Sequence, residues 1–216
     1  MQWTLVVPLK ALARAKSRLA DTADDGLRPG LALAFAQDTV AAALASAAVR
    51  DVAVVTGDVV AGRELAALGA RIVADEPAGG LNAALAHAAA AIRSWRPDSG
   101  VAALNADLPA LRPAELARVL EAAAEFPRAF LPDAAAIGTT LLAAAPGREL
   151  LPAFGTDSRA RHRASGAVEL ALGGVNSVRQ DVDTGADLRA ALALGVGPRT
   201  AAAAARLLIP GPQGDR

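Results

Sequence analysis

The chain has 216 residues, 53% of them hydrophobic, enough to bury one sizeable core, and the length favours one domain over two. Its 22 Lys and Arg balance 22 Asp and Glu, and the zero net charge argues against a nucleic-acid binder or a membrane-surface protein held by bulk electrostatics. Cys is absent, which removes disulfides, thiolate catalysis and zinc–thiolate sites and suits a reducing cytoplasm.

Short β-branched runs alternate with longer Ala/Leu-rich stretches. In chain order they predict a strand at 4–7, a helix at 29–47, a strand at 52–55, a helix at 59–68, a strand at 71–74 and a helix at 81–95. A strand at 101–104, a helix at 113–124 and strands at 129–131 and 140–143 come next. The series closes with a helix at 158–172, a strand at 178–182 and helices at 186–194 and 199–208. Pro29 and Pro113 suit first-turn helix positions, where a missing N–H is no loss. The alternation predicts an α/β fold: a single Rossmann-like domain over 1–208, its sheet mainly parallel with helices on both faces. The tail, 209–216, reads as disordered. Met1–Pro8 lacks a basic segment followed by a long apolar core, and the apolar stretches are broken by charges. A soluble, cytoplasmic chain without signal peptide or membrane span is expected.

In such a sheet, ligands bind beyond the carboxyl ends of the strands. Neither G-x-G-x-x-G after the first strand nor G-x-x-x-x-G-K-[ST] occurs, which disfavours a common dehydrogenase and a P-loop NTPase. The first strand leads instead into Pro8-Leu9-Lys10 and then Arg14-Ala15-Lys16-Ser17-Arg18. Lys10 and Lys16 are the only lysines, against twenty arginines. A compact ammonium suits a point contact to a phosphate oxygen, so the segment reads either as a polyphosphate cradle or as a solvated amphipathic turn.

Acidic residues stand after two later strands. Asp107 comes just after 101–104, and Asp181 and Asp183 lie at the end of 178–182, on one face if that strand forms. Carboxylates converging from two strand ends suit a hard divalent cation such as Mg²⁺ that also bridges substrate phosphates. The alternatives are a turn before Pro109 for Asp107 and a helix cap at Asp183 or Thr184, with Asp187 completing a box. A third feature joins Gly138-Thr139-Thr140 to Phe154-Gly155-Thr156-Asp157-Ser158, where small residues let backbone approach a ligand. A helix opening at Asp157 or Ser158 would offer N–H groups to an anion, with Arg159 and Arg163 on one of its faces.

Together these segments resemble the 2-phospho-L-lactate or phosphoenolpyruvate guanylyltransferases of coenzyme F-420 biosynthesis. The resemblance rests on Pro8-Leu9-Lys10, Ala15-Lys16-Ser17-Arg18-Leu19, Gly80-Leu81-Asn82, Asp107-Leu108-Pro109, Gly138-Thr139-Thr140, Phe154-Gly155-Thr156-Asp157-Ser158, Ala160-Arg161-His162 and Asp181-Val182-Asp183-Thr184. It extends to about Pro198 and departs from the pattern at Asn105-Ala106 and Gly185. It implies the fold of the molybdenum-cofactor guanylyltransferases and nucleotide-diphospho-sugar transferases. Thr140, Gly155 and Ser158 would hold a phosphorylated three-carbon acid. Asp107 and Asp181 would ligate Mg²⁺, with Asp183 as a further candidate. Lys10, Lys16 and Arg18 would meet the GTP phosphates, Asn82 would lie near the nucleoside, and Lys16, Asp107 and Asp181 would form the catalytic set. Such a reaction needs no protein base, because the attacking phosphate is already anionic. The competing readings are a transferase for a sugar phosphate or the molybdenum cofactor, and a non-catalytic nucleotide-binding regulator. No nucleic acid or membrane partner is expected, and the sequence leaves monomer and homodimer open.

Overall fold

In the computed structural model, which describes residues 1–12, 26–75 and 79–206, side-chain alternation along each strand builds a sheet with two apolar faces. In β1 (Trp3–Pro8), Trp3, Leu5 and Val7 enter one core layer and Val6 the opposite one. The same split places Val52 and Val54 against Ala53 and Val55 in β2 (Val49–Val55), and Ala102 and Leu104 against Val101 and Ala103 in β4 (Gly100–Leu104). It recurs in β5 (Arg128–Pro132) and β6 (Thr139–Ala144). Period-two patterning with both faces apolar means that both must be covered. Helices α1 (Arg28–Leu44), α2 (Val59–Ala66) and α4 (Pro113–Ala123) supply Ala36, Val40, Leu65, Leu116 and Leu120 to the first layer. Helix α3 (Leu81–Trp95) supplies Leu85, Ala88 and Ile92 to the second.

With β3 (Arg71–Val73) and β7 (Val168–Glu169), the strands form one seven-stranded sheet in the order β3-β2-β1-β4-β6-β5-β7. The sheet is mixed: β1–β2, β1–β4, β2–β3 and β5–β7 pair in parallel, and β6 runs antiparallel to both β4 and β5. Residues 133–138 alone separate β5 from β6, too few for the crossover that a parallel pair requires.

The expected elements form, with two corrections. The helix expected at 158–172 is α5 (Ser158–Ala164), which stops where Gly166 takes φ +83°, and the chain then enters β7. The strand expected at 178–182 does not form. That region holds the short helix α6 (Asn176–Arg179), fixed where the Ser177 N–H and hydroxyl both donate to Glu115 Oε2 at 2.9 and 2.8 Å. Val178 and Val182 are buried as a strand would bury them, yet they pack into different core layers and join no ladder. Asp181 and Asp183 therefore owe their positions to an irregular segment. Helix α7 (Gly185–Leu194) and helix α8 (Pro198–Ala205) finish the described chain, and α8 is capped by the buried Asp38, which accepts the Thr200 N–H at 2.7 Å. The expected tail at 209–216 lies outside the described residues. Among the described residues no helix is long and apolar enough to cross a membrane.

Candidate active site

The carboxyl ends of β1 and β4 and the first residues of β6 lie along one edge of the sheet, because β6 runs antiparallel to β4 with Leu104 opposite Leu141. Lys10 leaves that edge from β1, Asp107 comes after β4, and Thr140 is the second residue of β6, where its carbonyl accepts the Asn105 N–H at 2.9 Å. Asp181 joins them from outside the sheet. The Val182 N–H donates to the Asp107 carbonyl at 3.1 Å, and Asn105 Nδ2 stands 3.5 Å from Asp181 Oδ2. The segments that carry the two carboxylates are joined without a second strand end.

Asp183 behaves differently. It is exposed, and the capping box that opens α7 is made by Thr184 and Asp187, whose carboxylate also accepts the Asp183 N–H at 3.2 Å. Among the described residues no three Asp, Glu or His side chains are grouped to hold a metal ion. Two carboxylates on joined segments still suit a hard cation that completes its shell with substrate phosphate oxygens and water.

The predicted acid-binding residues form a second cluster beside this pair. The register of β6 against β5 slips by one between Leu131 and Pro132, so that Pro132 pairs with Thr139, and this irregularity sits at Thr139-Thr140. Thr140 is fully buried, and its hydroxyl has no hydrogen-bond partner among the described residues. Ser158 is 2% exposed and lies beside Gly138. Gly138 lets Asp133 Oδ2 approach: a Cβ there would come within 2.4 Å of that oxygen and would push it off the Gly138 N–H that it accepts. Gly155, at φ +113°, begins the turn into α5 and accepts the Ser158 N–H at 3.1 Å.

The helix-terminus anion site expected at Asp157-Ser158 is not what the structure builds. Helix α5 has seven residues, and its first N–H groups are already bonded, Ser158 to Gly155 O and Arg159 to Ile137 O. Arg159 and Arg163 do share a face, but both pair with Glu169, the first at 2.8 Å. Arg161 donates to the Thr156 carbonyl.

His162, one turn after Ser158, is the best-anchored polar side chain here. The Ala153 N–H donates to Nε2 at 2.9 Å, which places the ring proton on Nδ1, and Nδ1–H then donates to Thr139 Oγ1 at 2.9 Å. Phe154 stands edge-on to the ring at 5.0 Å and Phe130 at 5.8 Å. Burial first, then the Arg128 and Arg161 charges, lowers the imidazole pKa from 6.5 to about 4. The unfolded chain therefore binds a proton below pH 6.5 that the native chain refuses until about pH 4, so stability falls as pH drops through that window, by roughly 3 kcal/mol in all. Urea denaturation between pH 7 and pH 5 is expected to show this slope in the native chain and to lose most of it in His162→Gln. Glu169, held below the usual carboxylate range by the Arg159 hydrogen bond, acts only at lower pH.

On the side expected to meet the nucleotide, Lys10 lines a cleft of ≈ 220 Å³ with Pro8, Val55, Asp75, Gly80 and Leu81. The Leu12 N–H donates to Asp58 Oδ2 at 2.9 Å, while Asp58 Oδ1 caps α2, so one carboxylate ties the segment after β1 to the start of α2. The Ala61 and Leu12 N–H groups lower the pKa of Asp58. Asn82 is committed to the protein: Nδ2 donates to the Phe154 carbonyl at 3.1 Å and Oδ1 accepts the Phe154 N–H at 2.8 Å. Its visible role is to clamp the Phe154-Gly155 turn onto α3. Lys16 and Arg18 lie outside the described residues.

A family model described as a MobA-like NTP transferase domain matches residues 36–169. A phosphoenolpyruvate guanylyltransferase of Streptomyces avermitilis is 97% identical over 216 residues, 100% of each chain. This chain belongs to the phosphoenolpyruvate guanylyltransferase family. The family's protein from Streptomyces coelicolor is 83% identical over 211 residues, 98% of this chain and 100% of that one. In fold the chain is similar to a nucleotidyl transferase from Methanothermobacter thermautotroptrophicus, with a TM-score of 0.63 at 24% identity over 90% of this chain and 98% of that chain. It is thus a nucleotidyltransferase, and the edge bearing Lys10, Asp107, Thr140, Gly155, Ser158 and Asp181 is its candidate active site. Asp58 carries no mark in the sequence, and Thr139 and His162 stand in segments that carry the family resemblance without an expected role of their own. The position of His162 four residues after Ser158, on the same helical face, was the available signal.

Proposed function

We propose that this protein joins GMP from GTP to phosphoenolpyruvate and releases pyrophosphate, as a cytoplasmic step in making coenzyme F-420. The supporting observation is that Lys10, Asp107 and Thr140 all belong to one edge of the sheet, with the Asp181 segment bonded to that of Asp107. The side predicted to hold the acid carries a buried hydroxyl at Thr140 with no partner among the described residues, and Lys10 lines a separate cleft on the same edge. A buried hydroxyl without a partner costs about 1–3 kcal/mol, which a ligand oxygen would offset.

In the reaction, an oxygen of the phosphoenolpyruvate phosphate attacks the α-phosphorus of GTP. A new P–O bond forms, the bond from the α-phosphorus to the bridging oxygen breaks, and pyrophosphate leaves with its electron pair. No proton need be removed, which accords with an acid cradle whose only imidazole is committed on both nitrogens. The residues hold two mutually repelling anions in line: Thr140, Gly155 and Ser158 the acid, Lys10 and Lys16 the triphosphate, with Arg18 beside them. Asp107 and Asp181 would hold Mg²⁺, which when bound supplies positive charge to the reacting phosphates.

Two measurements test this reading. Pyrophosphate release with GTP and Mg²⁺ is expected with phosphoenolpyruvate, and faster than with 2-phospho-L-lactate, 3-phosphoglycerate or a sugar phosphate. A sugar phosphate as the best substrate would overturn it. Ser158→Ala is then expected to raise the KM for the acid by about 1–3 kcal/mol equivalent, the worth of one hydrogen bond to a charged group, and to leave calorimetric GTP binding unchanged. Weakened GTP binding with normal acid saturation would assign the Phe154–Ser158 turn to the nucleotide.

A further inference from the structure

The three elements that carry Thr140, Gly155 and Ser158 meet on one ring. Through Nδ1, His162 is bonded to Thr139, next to Thr140 at the irregular start of β6. Through Nε2 it holds Ala153, two residues before Gly155, and the neighbouring Phe154 ring packs edge-on against it. Ser158 precedes it by one turn of α5. From the other side, Asn82 clamps both backbone groups of Phe154, so the turn that presents Gly155 is pinned between two side chains.

We propose that His162 is a positioning residue that sets the spacing of the acid cradle, and hence affinity for the phosphorylated acid, through a two-sided hydrogen bond available only to its Nδ1–H tautomer. The inference rests on the reading that this cradle holds the acid. The ring is rigid, donates toward β6 and accepts from the turn, so both elements are held at a fixed distance from α5. Leu fills the same space but leaves the Ala153 N–H and the Thr139 hydroxyl without that partner. Gln can restore an acceptor for Ala153 on a more flexible chain. Protonation would put a proton on Nε2, facing the Ala153 N–H, and the charges near the ring, Arg128 and Arg161, oppose it.

Steady-state kinetics with GTP, Mg²⁺ and phosphoenolpyruvate test the proposal in His162→Leu, His162→Gln, Thr139→Val and Ser158→Ala. His162→Leu is expected to raise the KM for phosphoenolpyruvate at least about tenfold, the equivalent of one hydrogen bond. His162→Gln should fall between it and the native chain, and the KM for GTP should stay within about twofold in both. Thr139→Val, which leaves the ring in place, should raise the acid KM in the same sense, and its effect should not add to that of His162→Leu. It also reads the bond independently should His162→Leu fail to fold. A lowered melting temperature with the acid KM unchanged in both His162→Gln and Thr139→Val would reduce His162 to a structural part and overturn the proposal. So would a loss that falls on GTP. If Ser158→Ala spares the acid KM, the cradle assignment itself fails. If Ser158→Ala raises it while the His162 and Thr139 variants do not, only the positioning role fails.

Discussion

Asp107→Asn and Asp181→Asn are each expected to yield a folded protein whose turnover falls at least about a hundredfold, close to 3 kcal/mol of transition-state stabilisation. An amide keeps the size and much of the hydrogen bonding of the carboxylate but is neutral and a poorer ligand for a hard cation. Folding should survive because the hydrogen bond joining the two segments uses the Asp107 backbone carbonyl and the Val182 N–H, which neither substitution touches. Asp183→Asn provides the contrast. With Asp183 exposed and the α7 cap built from Thr184 and Asp187, its turnover should stay within about threefold of the native value. Pyrophosphate release, paired with urea unfolding of each variant, checks all three. Near-native activity in Asp107→Asn or Asp181→Asn would remove the metal assignment, and a hundredfold loss in Asp183→Asn would restore Asp183 as a ligand.

Lys16→Ala is expected to lower kcat/KM for GTP by roughly 2–4 kcal/mol, the scale of one charge-assisted hydrogen bond in a closed site. Lys16→Arg should also be impaired, because a rigid fork replaces a point charge. Composition is the first reason: a chain that uses Arg at twenty positions keeps Lys only at Lys10 and Lys16. Lys10 lines the cleft beside β1, and Asp58 anchors Leu12 at the start of the segment that carries Lys16. Kinetics at saturating phosphoenolpyruvate separate the outcomes, and full activity in the Arg variant would show that the ammonium is not what the site requires.

Strands β1, β2, β4, β5 and β6 were legible because each alternates apolar residues into two core layers, a signal carried by neighbours in sequence. Helix α3 was legible to its last residue, from Leu81 to Trp95. The direction of β6 could also have been read, since 133–138 is too short for a parallel crossover. Elsewhere local pattern misled. Val178 and Val182 look like strand residues, but hydrogen bonds with distant Glu115 and Asp107 decide the backbone there. Ser165-Gly166 was a helix stop that the Ala-rich and Arg-rich context obscured. For the candidate site, Asp107 and Asp181 were singled out as residues after expected strand ends, one of which does not form, and Thr140, Gly155 and Ser158 as glycine-flanked residues matching the family resemblance. The long-range contacts around these residues were not legible: Asp58 reaches Leu12 across 46 residues, and Asn82, expected near the nucleoside, reaches Phe154 across 72. Buried polar networks of this kind are made by tertiary contacts and leave no periodic trace.

The most direct measurement of the central claim is the phosphorus NMR spectrum of a mixture of protein, GTP, Mg²⁺ and phosphoenolpyruvate. Attack on the α-phosphorus predicts a new pair of mutually coupled diphosphate resonances, from the guanosine phosphorus joined to the phosphoenolpyruvate phosphorus, growing in step with pyrophosphate. Release of inorganic phosphate with GDP, or pyrophosphate accompanied only by GMP, would contradict it.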